Sequence, residues 1–159
     1  MSNVLVIFQA DTEHTEQMAL AVAVGAVEAE ASIRLRRLAA PGAAEVAHKG
    51  YGKLQAADLL WANTIVVGLE SASPKTEEME GLISLLRPAD QKKLTGKQAW
   101  TFSPGGFHSS PSKAQVFVES ALRVAGFTVL PPQIPNSGSE DNEIDSLKQT
   151  GRQLANNSF

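Results

Sequence analysis

The chain has 159 residues, 14 Lys and Arg against 17 Asp and Glu for a formal net charge of -3, and no cysteine. A chain of this length buries ~70% of its unfolded surface without covalent staples, so residues 1–159 read as a single domain. The missing cysteines exclude disulfides, thiolate catalysis, iron–sulfur clusters and cysteine zinc sites, and the mild acidity provides no basic field for a nucleic-acid partner.

"VLVIF", Val4 to Phe8, is a continuous apolar run with β-branched members, the pattern of a strand buried on both faces of a parallel sheet. From Glu13 the spacing turns helical, with Met18, Val22 and Ala26 on one side. "SIRLRRL" alternates Ile33 and Leu35 against Arg34 and Arg36, which suits an edge strand. Binding of a cofactor phosphate is the other use for Arg34, Arg36 and Arg37. "AAPGAAEVAHKGYGK" is loop-like around one short helix near 43–47, and "LQAADLL" makes a helical turn before a second buried strand, Thr64 to Leu69.

"PKTEEMEGLISLL" opens on Pro74, carries its acids early where the helix dipole favours them, and is stopped by Pro88. "KQAWTFS" is the next strand, "PGGFHSSPS" the loop after it, and "SKAQVFVESALRVAG" an amphipathic helix closed by Gly126. "FTVL" is a last short strand before Pro131 and Pro132, and residues 140–154 form a final helix. No basic leader precedes a long apolar run, and no window approaches the ~20 apolar residues of a membrane span, so the expected location is the cytoplasm with no membrane partner.

Five strands alternating with helices argue a three-layer α/β/α domain around a five-stranded parallel sheet, and right-handed crossovers give the order 2-1-3-4-5. In that order a small-molecule ligand lies beyond the carboxyl ends of strands one and three, where the winding reverses. Three loops meet there, at 9–15, 69–75 and 103–112.

The first of these loops reads Ala10-Asp11-Thr12-Glu13-His14-Thr15, followed by Glu16. It resembles the FMN phosphate loop of the flavodoxin family, [TS]-x-T-G-x-T, and the chain resembles that family over nearly its whole length. "VLVIFQADTEHTEQMALAVAVGA", "ADLLWANTIVVG" and "LTGKQAWTFSPGG" are most similar to the tryptophan-repressor-binding-protein type of NAD(P)H:quinone oxidoreductases. The resemblance implies a flavodoxin-like fold, FMN as cofactor, NAD(P)H as reductant and, since such proteins often assemble near the cofactor, a homo-oligomer.

A phosphate at a helix N-terminus needs backbone N–H groups, small residues and hydroxyl donors. Thr12 and Thr15 supply hydroxyls at the matching positions, whereas Ala10 replaces the first hydroxyl and Glu13 replaces the glycine. A carboxylate at Glu13 repels the phosphate unless it points away, and as a first-turn acid it can occupy the place the phosphate would fill. The second loop, Gly68-Leu69-Glu70-Ser71-Ala72-Ser73-Pro74, keeps only the glycine of the family's G-[ST]-P-x-[RY]-x-G. Ala72 and Ser73 give the flavin no flat wall, and Glu70 disfavours an anionic reduced ring.

In the third loop, Ser103-Pro104-Gly105-Gly106-Phe107-His108, the amides of Gly105 and Gly106 suit the flavin's pyrimidine edge, Phe107 can stack, and His108 can donate a proton to a quinone oxygen. His14, His48 and His108 lack the spacing of metal ligands, so no metal site is expected. Two functions stand. One is an FMN-dependent oxidoreductase of the quinone-reductase type, and the other is a flavodoxin-like binding or interaction module that has lost FMN.

Overall fold

The computed structural model describes residues 2–9, 13–38, 51–69, 76–86, 94–103, 113–130 and 140–156. In chain order the elements are β1 (Asn3–Phe8), α1 (Glu13–Glu28), β2 (Ser32–Arg37), β3 (Gly52–Lys53), α2 (Ala56–Trp61), β4 (Thr64–Gly68), α3 (Thr76–Leu86), β5 (Gln98–Phe102), α4 (Lys113–Val124), β6 (Thr128–Val129) and α5 (Glu140–Asn156). The helix expected near 43–47 lies outside the described residues.

All strand pairs are parallel, in the order β3-β2-β1-β4-β5-β6. This is the expected winding with one strand added outside β2. Gly52 and Lys53, read from sequence as loop, pair with Arg36 and Arg37, so β2 is not the edge strand that its charges suggested. Two residues are too few to carry a period, which is why the sequence did not mark them.

Parallel strands need both faces covered, and the runs Val4 to Phe8 and Thr64 to Gly68 are buried throughout for that reason. One face packs on α2, α3 and α4, through Leu5, Ile7, Ile65 and Val67 against Leu59, Leu82, Val118 and Leu122. The other packs on α1 and α5, through Val4, Val6, Phe8, Val66 and Trp100 against Met18, Val22, Leu147 and Leu154. Alternation along each strand thus divides the core into two halves with the sheet between them. Gly126, at φ +105°, ends the turn after α4 in a conformation that side chains disfavour, and this returns the chain to β6.

α1 and α5 approach until backbone meets backbone. A Cβ on Gly151 would stand 2.1 Å from the Val22 carbonyl oxygen, and one on Gly25 would stand 1.9 Å from that of Lys148. Both glycines are required by this approach, although each weakens its own helix by ~1 kcal/mol relative to alanine.

The arginines of β2 find their partner in α2. The buried carboxylate of Asp58 accepts from Arg34 at 3.1 Å, from Arg36 at 3.2 Å and from the Gln55 backbone N–H at 2.9 Å, so it pairs two cations and caps α2 together. The Arg34 guanidinium also lies 4.3 Å from the centre of the Trp61 ring. Arg34 and Arg36 are therefore committed to α2, and the reading of them as phosphate ligands is corrected. At the amino end of the sheet Lys97 donates to the carbonyls of Leu60, at 3.2 Å, and Ala62, where α2 ends. Burial lowers the pKa of its ammonium below the ordinary lysine value.

Gly151→Ala should destabilise the protein by about 1–3 kcal/mol in urea unfolding, opposite in sign to the ~1 kcal/mol gain that alanine brings to an uncrowded helix. Asp58→Ala should cost about 2–4 kcal/mol, since it leaves two half-buried guanidiniums and a helix end without their acceptor, whereas Arg34→Ala should cost about 1 kcal/mol.

Candidate functional site

The carboxyl edge of the sheet is set by three strand ends in one register. Phe8 of β1 stands beside Gly68 of β4, and Gly68 beside Phe102 of β5. The ladder runs one residue further, with Gln9 N–H bonded to the Gly68 carbonyl at 3.0 Å and Leu69 N–H to that of Phe102 at 2.9 Å. Gln9, Leu69 and Ser103 are consequently all buried, and the three expected loops leave the sheet from fixed points.

Side chains of one register row share a face of the sheet. The Phe102 ring lies over Gly68, where a Cβ would stand 2.5 Å from its Cζ, and it also leans on Trp100 with ring centres 5.7 Å apart. Gly68, the one residue retained from the family's second loop, therefore makes room for an aromatic ring of this chain. On the other side Phe8 meets Tyr51 edge to face, with ring centres 5.1 Å apart. The edge is floored by aromatic rings on the α1 side.

α1 begins four residues past Gln9, so its N-terminus and positive dipole end lie beyond the carboxyl end of β1. Glu13 is exposed at its first position, and its carboxylate takes a long hydrogen bond, 3.5 Å, from Gln17 one turn on. The charge that sequence reading placed against a phosphate is thus directed along the outer surface of the helix. His14 is half-buried, and Thr15 and Glu16 are buried.

Between the end of β5 and the start of α4 lies a polar line that the sequence reading did not single out. The Thr101 hydroxyl donates to Glu119 at 2.8 Å, and the Gln115 amide donates to the Thr101 hydroxyl at 3.2 Å, all three side chains being buried. Glu119 is also 4.0 Å from the Arg123 guanidinium. Buried polar groups hold a position because leaving one unpaired is costly, so this line fixes α4 against β5 just before the loop begins. The signal was present in the sequence: Gln115 and Glu119 interrupt the inward stripe formed by Ala114, Val118 and Leu122.

Of the residues expected at the site, Glu13, His14, Thr15, Gly68, Leu69 and Ser103 are brought to this edge. Ala10, Asp11, Thr12, Glu70, Ser71, Gly105, Gly106, Phe107 and His108 lie outside the described residues. Among the described residues no group of three His, Cys, Asp or Glu side chains is placed to hold a metal ion, and no helix is long and apolar enough to cross a membrane.

No family model matches the sequence. No curated protein matches it either. Solved structures do. A flavodoxin from Streptococcus pneumoniae TIGR4 superposes with a TM-score of 0.68 over 98% of this chain and 99% of its own, at 18% identity. Oxidised flavodoxin 2 from Bacillus cereus gives 0.64 over 99% and 100% at 15% identity, and a diflavin flavoprotein from Nostoc sp. gives 0.64 over 98% and 92% at 18%. At such identities the likeness lies in the backbone, and it establishes for this chain the flavodoxin-like α/β fold with its parallel sheet and helices on both faces.

Proposed function

We propose that the protein binds FMN at the carboxyl edge of β1 and β4 and acts as an oxidoreductase between NAD(P)H and a quinone. The observation that carries this reading is the start of α1. Its dipole end opens beyond β1 while the Glu13 carboxylate turns toward Gln17, which removes the electrostatic objection that the sequence raised. The direction of Glu13 and the position of the α1 terminus support a phosphate at this junction. Ala10 to Thr15 would hold it, with the Thr12 and Thr15 hydroxyls and the first-turn amides as donors.

Gly68 to Ser71 and Ser103 to Phe107 would frame the ring, and the buried Thr101–Gln115–Glu119 line holds the end of β5 from which the second of these segments departs. Bound FMN would supply the hydride and electron chemistry, and the protein would orient it, exclude water and provide a proton from His108 to a quinone oxygen. A flavodoxin-like binding module without flavin is the second reading. Glu70 and Ala72 favour it, because in sequence they occupy the second loop's positions, from which the resemblance expects a neutral, flat wall for the isoalloxazine.

Fluorescence titration of FMN into apo protein tests the first reading. Saturable quenching at low micromolar FMN is expected, with Thr12→Ala weakening affinity by about 5- to 100-fold, equivalent to ~1–3 kcal/mol. Ala10→Ser combined with Glu13→Gly should tighten binding about tenfold or more, chiefly through the restored hydroxyl, since the Glu13 carboxylate already turns toward Gln17. Absence of binding up to ~1 mM FMN, weaker than about -4 kcal/mol, would overturn the reading in favour of the second. In steady-state assays with NAD(P)H and a quinone, His108→Gln should lower kcat about 100-fold while FMN affinity stays as in wild type.

A further inference from the structure

β2 divides its arginines between the two faces of the sheet. Arg34 and Arg36 turn to α2 and share Asp58, whereas Arg37, one residue on, falls on the α1 face. The register sets Arg37 in one row with Phe8 of β1 on one side and Lys53 of β3 on the other. Such a row shares a face: Phe8 belongs to the core half under α1, while Leu38 and Leu54, the next residues of both outer strands, belong to the opposite half. Two cations therefore stand side by side on strands about 4.8 Å apart, both half-buried.

Each cation is the last residue of its strand, so the pair marks the carboxyl edge beyond which α1 begins. β3 is short but pinned here. Leu54 N–H donates to the Arg37 carbonyl at 3.2 Å, and the Tyr51 ring, on the same face as Lys53, meets Phe8 edge to face. Among the described acids at the start of α1, Glu13 turns outward to Gln17 and Glu16 is buried, which leaves two cations against one enclosed carboxylate. Like charges held side by side repel, and a shared anion removes that cost.

We propose that Arg37 and Lys53 form a phosphate subsite on the β2 side of the α1 N-terminus, and that its occupant is the phosphate of the bound flavin nucleotide. This subsite rests on the FMN reading above, and it supplies what the loop Ala10 to Thr15 lacks. Ala10 costs that loop a hydroxyl donor, and a helix terminus alone meets a phosphate with partial charges. A guanidinium brings parallel N–H donors matched to phosphate oxygens, in charge-assisted bonds about twice as strong as neutral ones. Arg37 stands next to β1 and is the principal partner, whereas Lys53, a point charge one strand further out, adds less.

Riboflavin carries the ring of FMN without its phosphate, so the ratio of the two affinities isolates the subsite. In fluorescence titrations Arg37→Gln should weaken FMN about tenfold or more and Lys53→Gln about threefold, with riboflavin within about twofold of wild type. Arg37→Lys keeps the charge without the fork and should fall between wild type and Arg37→Gln. Arg152→Gln, the same change of charge at the Glu28 ion pair on the other end of α1, should leave the ratio unaltered. Inorganic phosphate probes the subsite without flavin: against chloride at equal ionic strength, it should raise the melting temperature of wild type more than that of the Arg37→Gln, Lys53→Gln double variant. That difference in a protein that binds no FMN would support the subsite and overturn the flavin as its source. An equal phosphate effect in both proteins, or an FMN-to-riboflavin ratio untouched by Arg37→Gln, would overturn the subsite itself.

Discussion

The backbone contact between α1 and α5 fixes the geometry on which the carboxyl edge depends. α1 is the only described helix that begins at the candidate ligand edge and ends packed against the far end of the chain. Gly25 and Gly151 let its axis sit close to α5, and Met18, Ala19 and Val22 then reach the sheet. Were the helices moved apart by a side chain at either glycine, α1 would tilt or slide over β1, and its N-terminal turn would move with it. A helix dipole acts on a ligand only within its first turn, so the electrostatics of the junction rest on packing two and a half turns away.

A second constraint comes from charge. β2 carries three arginines, and in a sheet flanked by helices on both faces that density needs a counter-charge close by. Asp58 provides it from α2, at the third helical position, where the same carboxylate also accepts from the Gln55 amide. One buried acid thus ties together β2, the start of α2 and, through Arg34 on Trp61, its end. The pairing spans 22 to 24 residues of sequence. Alternation in "SIRLRRL" made the two faces of β2 legible, but a partner on another element is a property of topology, and no local spacing could have named it.

The same division holds elsewhere. Long apolar runs and helical periods carry their structure locally, and β1, β4, α1, α3, α4 and α5 follow the sequence reading to within a few residues. β3 has only Gly52 and Lys53, and its existence depends on β2 offering an unpaired edge. At the candidate site the strand ends from which the chain leaves the sheet were legible from strand order alone, and so was the position of α1 beyond β1. The direction of the Glu13 side chain was not. A first-turn acid has two open courses, back toward the helix end or along the surface to a residue one turn on, and Gln17 decides between them. Gly68 shows the converse: its identity matched a family pattern, while its neighbour is the Phe102 ring.

The polar line at β5 and the apolar outer face belong to the same turns of α4, and the direction of that helix decides which edge of the sheet the polar line serves. Parallel sheets with helical crossovers run each helix antiparallel to its strands, so Lys113 at the start of α4 lies toward the carboxyl edge and Val124 toward the amino edge. Gln115 and Glu119 face inward and hold the helix on Thr101, while Val116, Phe117 and Val124 face outward on the same turns. The inner face of α4 thus fixes the end of β5, the point from which the chain leaves the sheet after Ser103, by buried hydrogen bonds as well as by apolar packing.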